Sequence, residues 1–135
     1  MVQRVYLDYD QKALDDAYDQ AVYAPNRDQV LARRDRNSEL ARQRLGEPQR
    51  FAYGEGRNEQ LDVFTSKGSH IQVFIHGGAW RGGRAREYAT AAEMFVRAGA
   101  HYVALDFDNT GECGGDLFVM ADQVRRARTW SRFGA

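Results

Sequence analysis

The first third of the chain has apolar residues at helical spacing. The first segment carries Leu14, Ala17, Tyr18, Ala21 and Val22. This pattern stops at Ala24-Pro25 and predicts one amphipathic helix. A second, more polar helix is predicted from about residue 28 to Leu45, because Gly46 follows where a left-handed cap would end it. Its apolar face is thin, so we expect it to lie on a surface.

The hydrophobic period changes to two after Pro48. Residues 50–53 and 61–65 are short extended candidates, and the turn-rich stretch 54–58 between them predicts an antiparallel hairpin. The next run, Ile71-Gln72-Val73-Phe74-Ile75, is almost continuously apolar and leads into glycines. Such a run is typical of a strand buried on both faces, so we expect this strand to be central in its sheet.

The remaining pattern alternates helix and strand. A helix is predicted over about 86–98 with Gly99 as its cap, then a buried strand over 102–107 and a last helix over about 116–132. A helix between two strands predicts parallel pairing through a right-handed crossover. The order indicates an α/β fold in a single domain over 1–135, with a helical N-terminal segment at 1–47 and the start of the central sheet at 48–135.

Composition narrows the class of partner and the compartment. The 135 residues carry 19 basic and 19 acidic side chains, so no net charge draws the chain to nucleic acid or to an anionic membrane. A small-molecule partner fits better. Cys113 is the single cysteine, which excludes an internal disulfide and suits a reducing compartment. The sequence has no signal-peptide h-region and no run of roughly 18 apolar residues, so a cytoplasmic location is expected.

A glycine-rich turn, Phe-Ile-His-Gly-Gly-Ala-Trp-Arg-Gly-Gly over 74–83, follows the third predicted strand. A dinucleotide fingerprint fails here, because counting from Gly77 its third position is Ala79. A phosphate-binding P-loop fails too, because Gly83 is followed by Arg84 and Ala85 instead of lysine and a hydroxyl residue. Two of the three chemistries that use such a turn are therefore excluded.

The third chemistry is an oxyanion hole. Esterases and lipases with an α/β-hydrolase fold place a His-Gly-Gly turn after their third strand, and its backbone N–H groups stabilise the charge of a tetrahedral intermediate. The segment His76-Gly77-Gly78-Ala79-Trp80 has this form. Glycine suits the role because a β-carbon would hold the substrate oxygen away from the amides. The alternative is an ordinary strand-to-helix turn without a catalytic role.

Several segments together resemble the kynurenine-formamidase-like group of α/β-hydrolases and its esterase relatives. They are the tyrosine-rich stretch 9–23, the hairpin, the 76–80 turn, the helix end 95–100, the strand 103–107 and the Gly-Gly-x-Leu-x-x-Met segment 114–120. The resemblance implies an amide or ester hydrolase without a cofactor, acting on an N-formyl or acyl aryl amine or on an ester. It also implies site roles: the Gly78 amide faces the oxyanion with Gly77 and Ala79 beside it, His76 holds the turn, and Trp80 lines the pocket or only packs.

The serine nucleophile of such an enzyme is missing from the sequence. No serine lies in a Gly-x-Ser-x-Gly elbow, and the candidates fail at Ser38, Ser66, Ser69 and Ser131. The resemblance therefore implies the N-terminal half of the fold, which would be inactive and poorly soluble alone because an apolar strand edge lacks its neighbour. The expected partners are a C-terminal half or a second copy. A non-catalytic binding fragment is the alternative.

The sequence also contains one motif typical of another enzyme family, and two kinds of metal-binding site can be tested against it. Asp106-x-Asp108-x-Thr110 after a buried strand resembles the first motif of haloacid-dehalogenase-like phosphatases, which implies Asp106 as nucleophile and Asp108 as general acid beside Mg²⁺. A calcium loop counted from Asp106 fails, because Leu117 stands where a glutamate is required. The three histidines have no ligand spacing, so no metal is predicted. Cys113 is interpreted as a loop thiol.

Overall fold

The structure, a computed structural model, describes residues 3–130. The chain divides into two compact units, one up to Arg33 and one from Arg34. The first unit begins with two short antiparallel strands, β1 (Arg4–Tyr6) and β2 (Tyr9–Asp10), which the sequence pattern did not predict.

The predicted first helix is in fact two helices, α1 (Gln11–Tyr18) and α2 (Gln20–Tyr23). The break is at Asp19, whose backbone is extended and whose carboxylate accepts a hydrogen bond from the Ala21 amide at 2.9 Å. Aspartate favours such a capping position, since its side chain competes for local N–H groups. The apolar period continues through Asp19, which is why the sequence suggested one helix.

The third helix, α3 (Arg27–Leu45), ends where the sequence predicted, and Gly46 follows with φ of +85°. Its buried positions are Ser38, Ala41 and Arg42, which are spaced three and four residues apart on one face. This face is mostly polar. The helix is therefore attached by hydrogen bonds and ion pairs more than by an apolar stripe.

The second unit contains a four-stranded mixed sheet in the order β3-β4-β6-β5. Its strands are β3 (Gln49–Ala52), β4 (Gln60–Phe64), β5 (His70–Phe74) and β6 (Ala100–Leu105). The predicted hairpin is confirmed, because β3 and β4 pair antiparallel, and so is the parallel pairing of β5 with β6. Strand β4 also pairs antiparallel with β6.

The expected central position of the third predicted strand is wrong for the part of the chain that the structure describes. Strand β5 is an edge strand with β6 on one side only. Ile71, Val73 and Ile75 are 41%, 36% and 50% exposed. The apolar run correctly indicates a strand suited to burial. The run does not indicate whether the elements that would cover this strand lie nearby in the sequence.

Two apolar layers cover the sheet. One lies under α5 (Leu117–Arg128) and contains Leu61, Val63, Val103, Leu105, Phe107, Met120 and Ala127. The other lies under a 3₁₀ segment (Ala85–Ala91) and α4 (Ala92–Arg97), and contains Phe64, Ala85, Ala89, Ala92, Tyr102 and Ala104. The predicted helix over 86–98 thus consists of two pieces, and the first of them is itself kinked at Tyr88 (φ −116°, ψ 21°).

The last predicted helix is confirmed, but it ends at Arg128, and the expected continuation over 131–132 lies outside the described residues. In the range 3–130, none of the helices combines the length and the apolar character needed to cross a membrane.

Candidate active site

The glycine loop, defined here as residues 76–85, leaves the end of β5 and contains a strained turn. Gly78 has φ of +86°, and Ala79 and Trp80 both have φ of +51°. The Arg81 amide donates to the Gly78 carbonyl at 3.4 Å, so the two central residues have the positive φ values of a type I′ turn. Each non-glycine residue in this region costs about 1–2 kcal/mol, and such strain is concentrated at functional sites.

Two hydrogen bonds hold the strained turn at Trp80. The indole N–H donates to the His76 carbonyl at 3.1 Å, and the Trp80 carbonyl accepts from the Thr110 amide at 2.8 Å. The Trp80 side chain is still 43% exposed. Trp80 thus packs through its polar edge and leaves part of its ring open to solvent.

Three successive amides of the turn remain available to a ligand. Among residues 3–130, the N–H groups of Gly77, Gly78 and Ala79 make no hydrogen bond. A β-carbon placed on Gly77 or Gly78 would meet nothing within 4 Å. All three residues are exposed, and unpaired N–H groups on an exposed turn can receive an anionic oxygen.

The His76 ring belongs to a stack of planar groups next to the turn. Its ring is 2% exposed and is stacked between Phe107, at 4.4 Å and 9°, and Tyr88, at 5.5 Å and 6°. The Arg34 guanidinium lies 4.9 Å from the centre of the Tyr88 ring in the same stack. His76 Nδ1 is 3.2 Å from the Gly77 carbonyl, and within residues 3–130 Nε2 has no partner. This ring is buried and clamped on both faces, so it does not face substrate in the way that a general base must.

Gly83, at the far side of the loop, is a supporting residue that the sequence did not identify. Its φ is +101°, and a β-carbon there would lie 2.9 Å from His76 Nδ1 and 3.3 Å from the Tyr88 hydroxyl. The glycine therefore allows the backbone to pass close to the imidazole. In the sequence, only its place in a Gly-Gly pair marks this residue. Many loop glycines have no close contact of this kind, so the pair alone did not identify it.

Both aspartates of the phosphatase-like motif are occupied by protein partners. Asp106 is 3% exposed; Oδ1 accepts from the Ala85 amide at 2.7 Å, and Oδ2 is paired with Arg50. The Asp108 carboxylate accepts from the side-chain amide groups of Asn58 at 2.7 Å and Gln123 at 2.8 Å. A nucleophile must present a free oxygen to phosphorus, so this arrangement favours a structural role for Asp106.

The remaining chemical candidates are the Cys113 thiol and a possible metal site. Cys113 is half-buried, and its thiol lies 3.7 Å from the Thr110 carbonyl. Within residues 3–130 no three His, Cys, Asp or Glu side chains converge in a way that could hold a metal ion.

Comparison with known proteins adds two similarities. No family model matches the chain. Kynurenine formamidase from Salmo salar is 35% identical over 79 residues, which make up 56% of this chain and 26% of that protein. A solved structure, of a provisionally assigned thioesterase from Silicibacter sp. TM1040, matches with a TM-score of 0.76 and 22% identity, over 88% of this chain and 46% of that chain.

These two matches concern the fold of the chain and its length relative to the matched proteins. The chain spans about a quarter of the curated relative and about half of the solved chain. The predicted α/β fold of the α/β-hydrolase type is confirmed by the structural match and by the mixed sheet with helices on it.

Proposed function

We propose that this chain carries the oxyanion-hole part of a hydrolase that cleaves an amide or ester bond. The observation that carries the proposal is the strained turn, which presents three unpaired amides on exposed residues shortly after β5. The similarity to a protein named kynurenine formamidase supports it.

In this proposal, each residue of the turn has a distinct role. The Gly78 N–H donates to the oxyanion of the tetrahedral intermediate, and the N–H groups of Gly77 and Ala79 lie beside it. The donors are preorganised, so they stabilise charge without reorganising during the reaction, and each is worth roughly 3 kcal/mol of barrier. His76 holds the turn from below, and Trp80 forms part of the pocket wall.

The covalent steps need groups that these 135 residues do not supply. A serine mechanism requires a nucleophile in a Gly-x-Ser-x-Gly elbow, an acid and a histidine base, in that order along the chain. We propose that they lie in a C-terminal half of the fold. The substrate class to test first is a small N-formyl or N-acyl aryl amine, followed by simple aryl esters, and no cofactor is required.

The first test is the activity of the chain by itself. We expect no turnover of N-formyl anilides or activated esters by the purified 135-residue chain, because it lacks the elbow. Turnover that a serine-directed organophosphate abolishes would contradict this placement of the nucleophile.

The second test asks whether the turn binds the oxyanion, in a longer polypeptide that has activity. Proline cannot replace Gly78 as a simple N–H deletion, because proline fixes φ near −65° and Gly78 has +86°. Gly77 is better suited: its φ is not positive, and a β-carbon there enters open space. Gly77→Ala should lower kcat by roughly tenfold to a hundredfold by holding the substrate oxygen away from the amides.

The matched control for this variant is Gly82→Ala. Gly82 lies in the same loop, also lacks a positive φ, and its β-carbon would also meet nothing within 4 Å. It should retain kcat. Equal activity of the two folded variants would remove the oxyanion role from this turn.

The absence of an elbow from the chain also favours a second candidate, a binding fragment that retains the pocket wall without the chemistry. Sequencing the DNA after codon 135 separates the two. An open reading frame with Gly-x-Ser-x-Gly supports the hydrolase, and its absence supports the binding fragment.

A further inference from the structure

We propose that Asp106 is a positioning residue that fixes the far end of the glycine loop and so holds the oxyanion-binding turn in place. This inference rests on the proposed function for its catalytic consequence, but the anchoring itself can be measured without any activity.

The anchoring contacts join both ends of the loop to two consecutive residues that follow β6. At the near end, His76 stacks on Phe107 at 4.4 Å. At the far end, the Ala85 amide donates to Asp106 Oδ1 at 2.7 Å, and Arg84 Nη1 donates to the Phe107 carbonyl at 3.2 Å. The two strained residues of the turn lie between these fixed points.

A carboxylate is suited to this anchor because of its charge and its two oxygens. A charge-assisted hydrogen bond to a backbone N–H is roughly twice as strong as a neutral one. The second oxygen of Asp106 is paired with Arg50, which is also bonded to Asp62 at 2.6 Å, and this pairing keeps the buried charge compensated. Ala85 is 2% exposed, so water does not replace the bond readily.

Fixing both ends matters because the turn has an unfavourable backbone conformation. Ala79 and Trp80 would relax towards negative φ if the loop were free. A displacement of about 1 Å at catalytic donors is enough to cost roughly a hundredfold in rate. The sequence places Asp106 where a phosphatase would have its nucleophile, and the geometry points to a supporting role instead.

The test measures amide hydrogen exchange at residue resolution in the 135-residue chain. Asp106→Ala should raise exchange at Ala85 by about tenfold or more relative to the amides of β6, since the acceptor is lost. The matched control is Asp62→Asn, which weakens the same Arg50 cluster but does not touch the loop. If Asp106 and Asp62 only stabilised the fold, replacing either of them would raise hydrogen exchange equally at all sites.

The outcomes separate the anchor from the function. Selective loss of protection at Ala85 in Asp106→Ala, with none in Asp62→Asn, supports the anchor. Unchanged protection at Ala85, or a uniform increase in both variants, overturns it. In an active longer polypeptide, Asp106→Ala should lower kcat at least tenfold with little change in KM, whereas Asp62→Asn should not. Selective loosening with unchanged kcat would overturn the positioning role, and failure of Gly77→Ala to lower kcat would count against the oxyanion function alone.

Discussion

At residues 79 and 80 the structure has a backbone conformation that the sequence does not predict. Neither alanine nor tryptophan favours positive φ, yet both have φ of +51°. The sequence identified the turn through its glycines, but it could not indicate this strain, because the strain is imposed by contacts with His76 and Thr110. Residues held against their preference by distant contacts are expected at functional sites.

The two glycines at the end of the loop should differ in their tolerance of a methyl group. Gly83→Ala combines a φ of +101° with a contact of 2.9 Å to His76 Nδ1, and we expect a loss of about 1–3 kcal/mol in the free energy of unfolding. Gly82→Ala should stay within about 0.5 kcal/mol. Urea denaturation of both variants checks this, and equal stabilities would contradict the close approach at Gly83.

A second prediction at this scale concerns pH. The Glu59 carboxylate is buried, accepts from the Gly56 amide at 2.7 Å and is paired with Arg126. The Arg126 hydrogen bond is the main cause that lowers the pKa of Glu59 below its usual value. A lowered folded-state pKa gives stability that is present above the unfolded pKa, near 4.3, and is lost as pH falls through the folded value.

Glu59→Gln should therefore flatten the loss of stability between about pH 5 and pH 3, as measured by denaturation across that range. Exposed Glu55 in the same turn provides the control, and Glu55→Gln should leave the slope unchanged. A wild-type slope in Glu59→Gln would show that this carboxylate is not the linked group.

At the scale of elements, segments with a clear hydrophobic period were predictable, although two of the predicted helices are broken, and strands of two or three residues were not. Helix α5 and the hairpin of β3 and β4 follow from hydrophobic period and turn residues. Strands β1 and β2 have only three and two residues, which is too short for a period to show. Of the site, the sequence indicated the turn, but not Gly83 or the anchor at Asp106, since both depend on contacts between distant residues.

The N-terminus of α5 offers a test of local capping. Asp116 has an extended backbone, and its carboxylate accepts from the Phe118 amide at 2.9 Å. Asp116→Ala should cost about 0.5–2 kcal/mol of unfolding free energy, whereas Asp116→Asn keeps an N-cap acceptor and should cost less. Thermal denaturation compares them, and equal losses would indicate that the cap bond contributes nothing.

At the scale of the whole molecule, the uncovered face of β5 is the main feature. Val73 is paired with Val103 in the parallel register, and Val103 is packed under α5. Val73 is therefore on the same face of the sheet as α5. Ile71, Val73 and Ile75 are nevertheless exposed, and the run 71–75 has no charged residue to discourage pairing. An exposed edge of this kind promotes association between chains.

We expect the 135-residue chain to self-associate with rising concentration through this strand. Val73→Lys should shift the population towards monomer, because a charge on an edge strand opposes pairing. Met94→Lys is the control, since Met94 is 64% exposed on α4 and away from the strand edge in sequence. Sedimentation velocity measures both, and a wild-type chain that stays monomeric at high concentration would contradict the expectation.

The half-exposed indole of Trp80 also gives the turn a built-in optical probe. The chain has two tryptophans, and Trp130 is the other one, with its ring centroid 5.0 Å from that of Phe51. In a Trp130→Phe background, all indole fluorescence would come from the residue whose N–H is bonded to the His76 carbonyl. Changes in its emission maximum and in its quenching by iodide would then report directly on ligands entering the turn, without a label and without catalytic turnover.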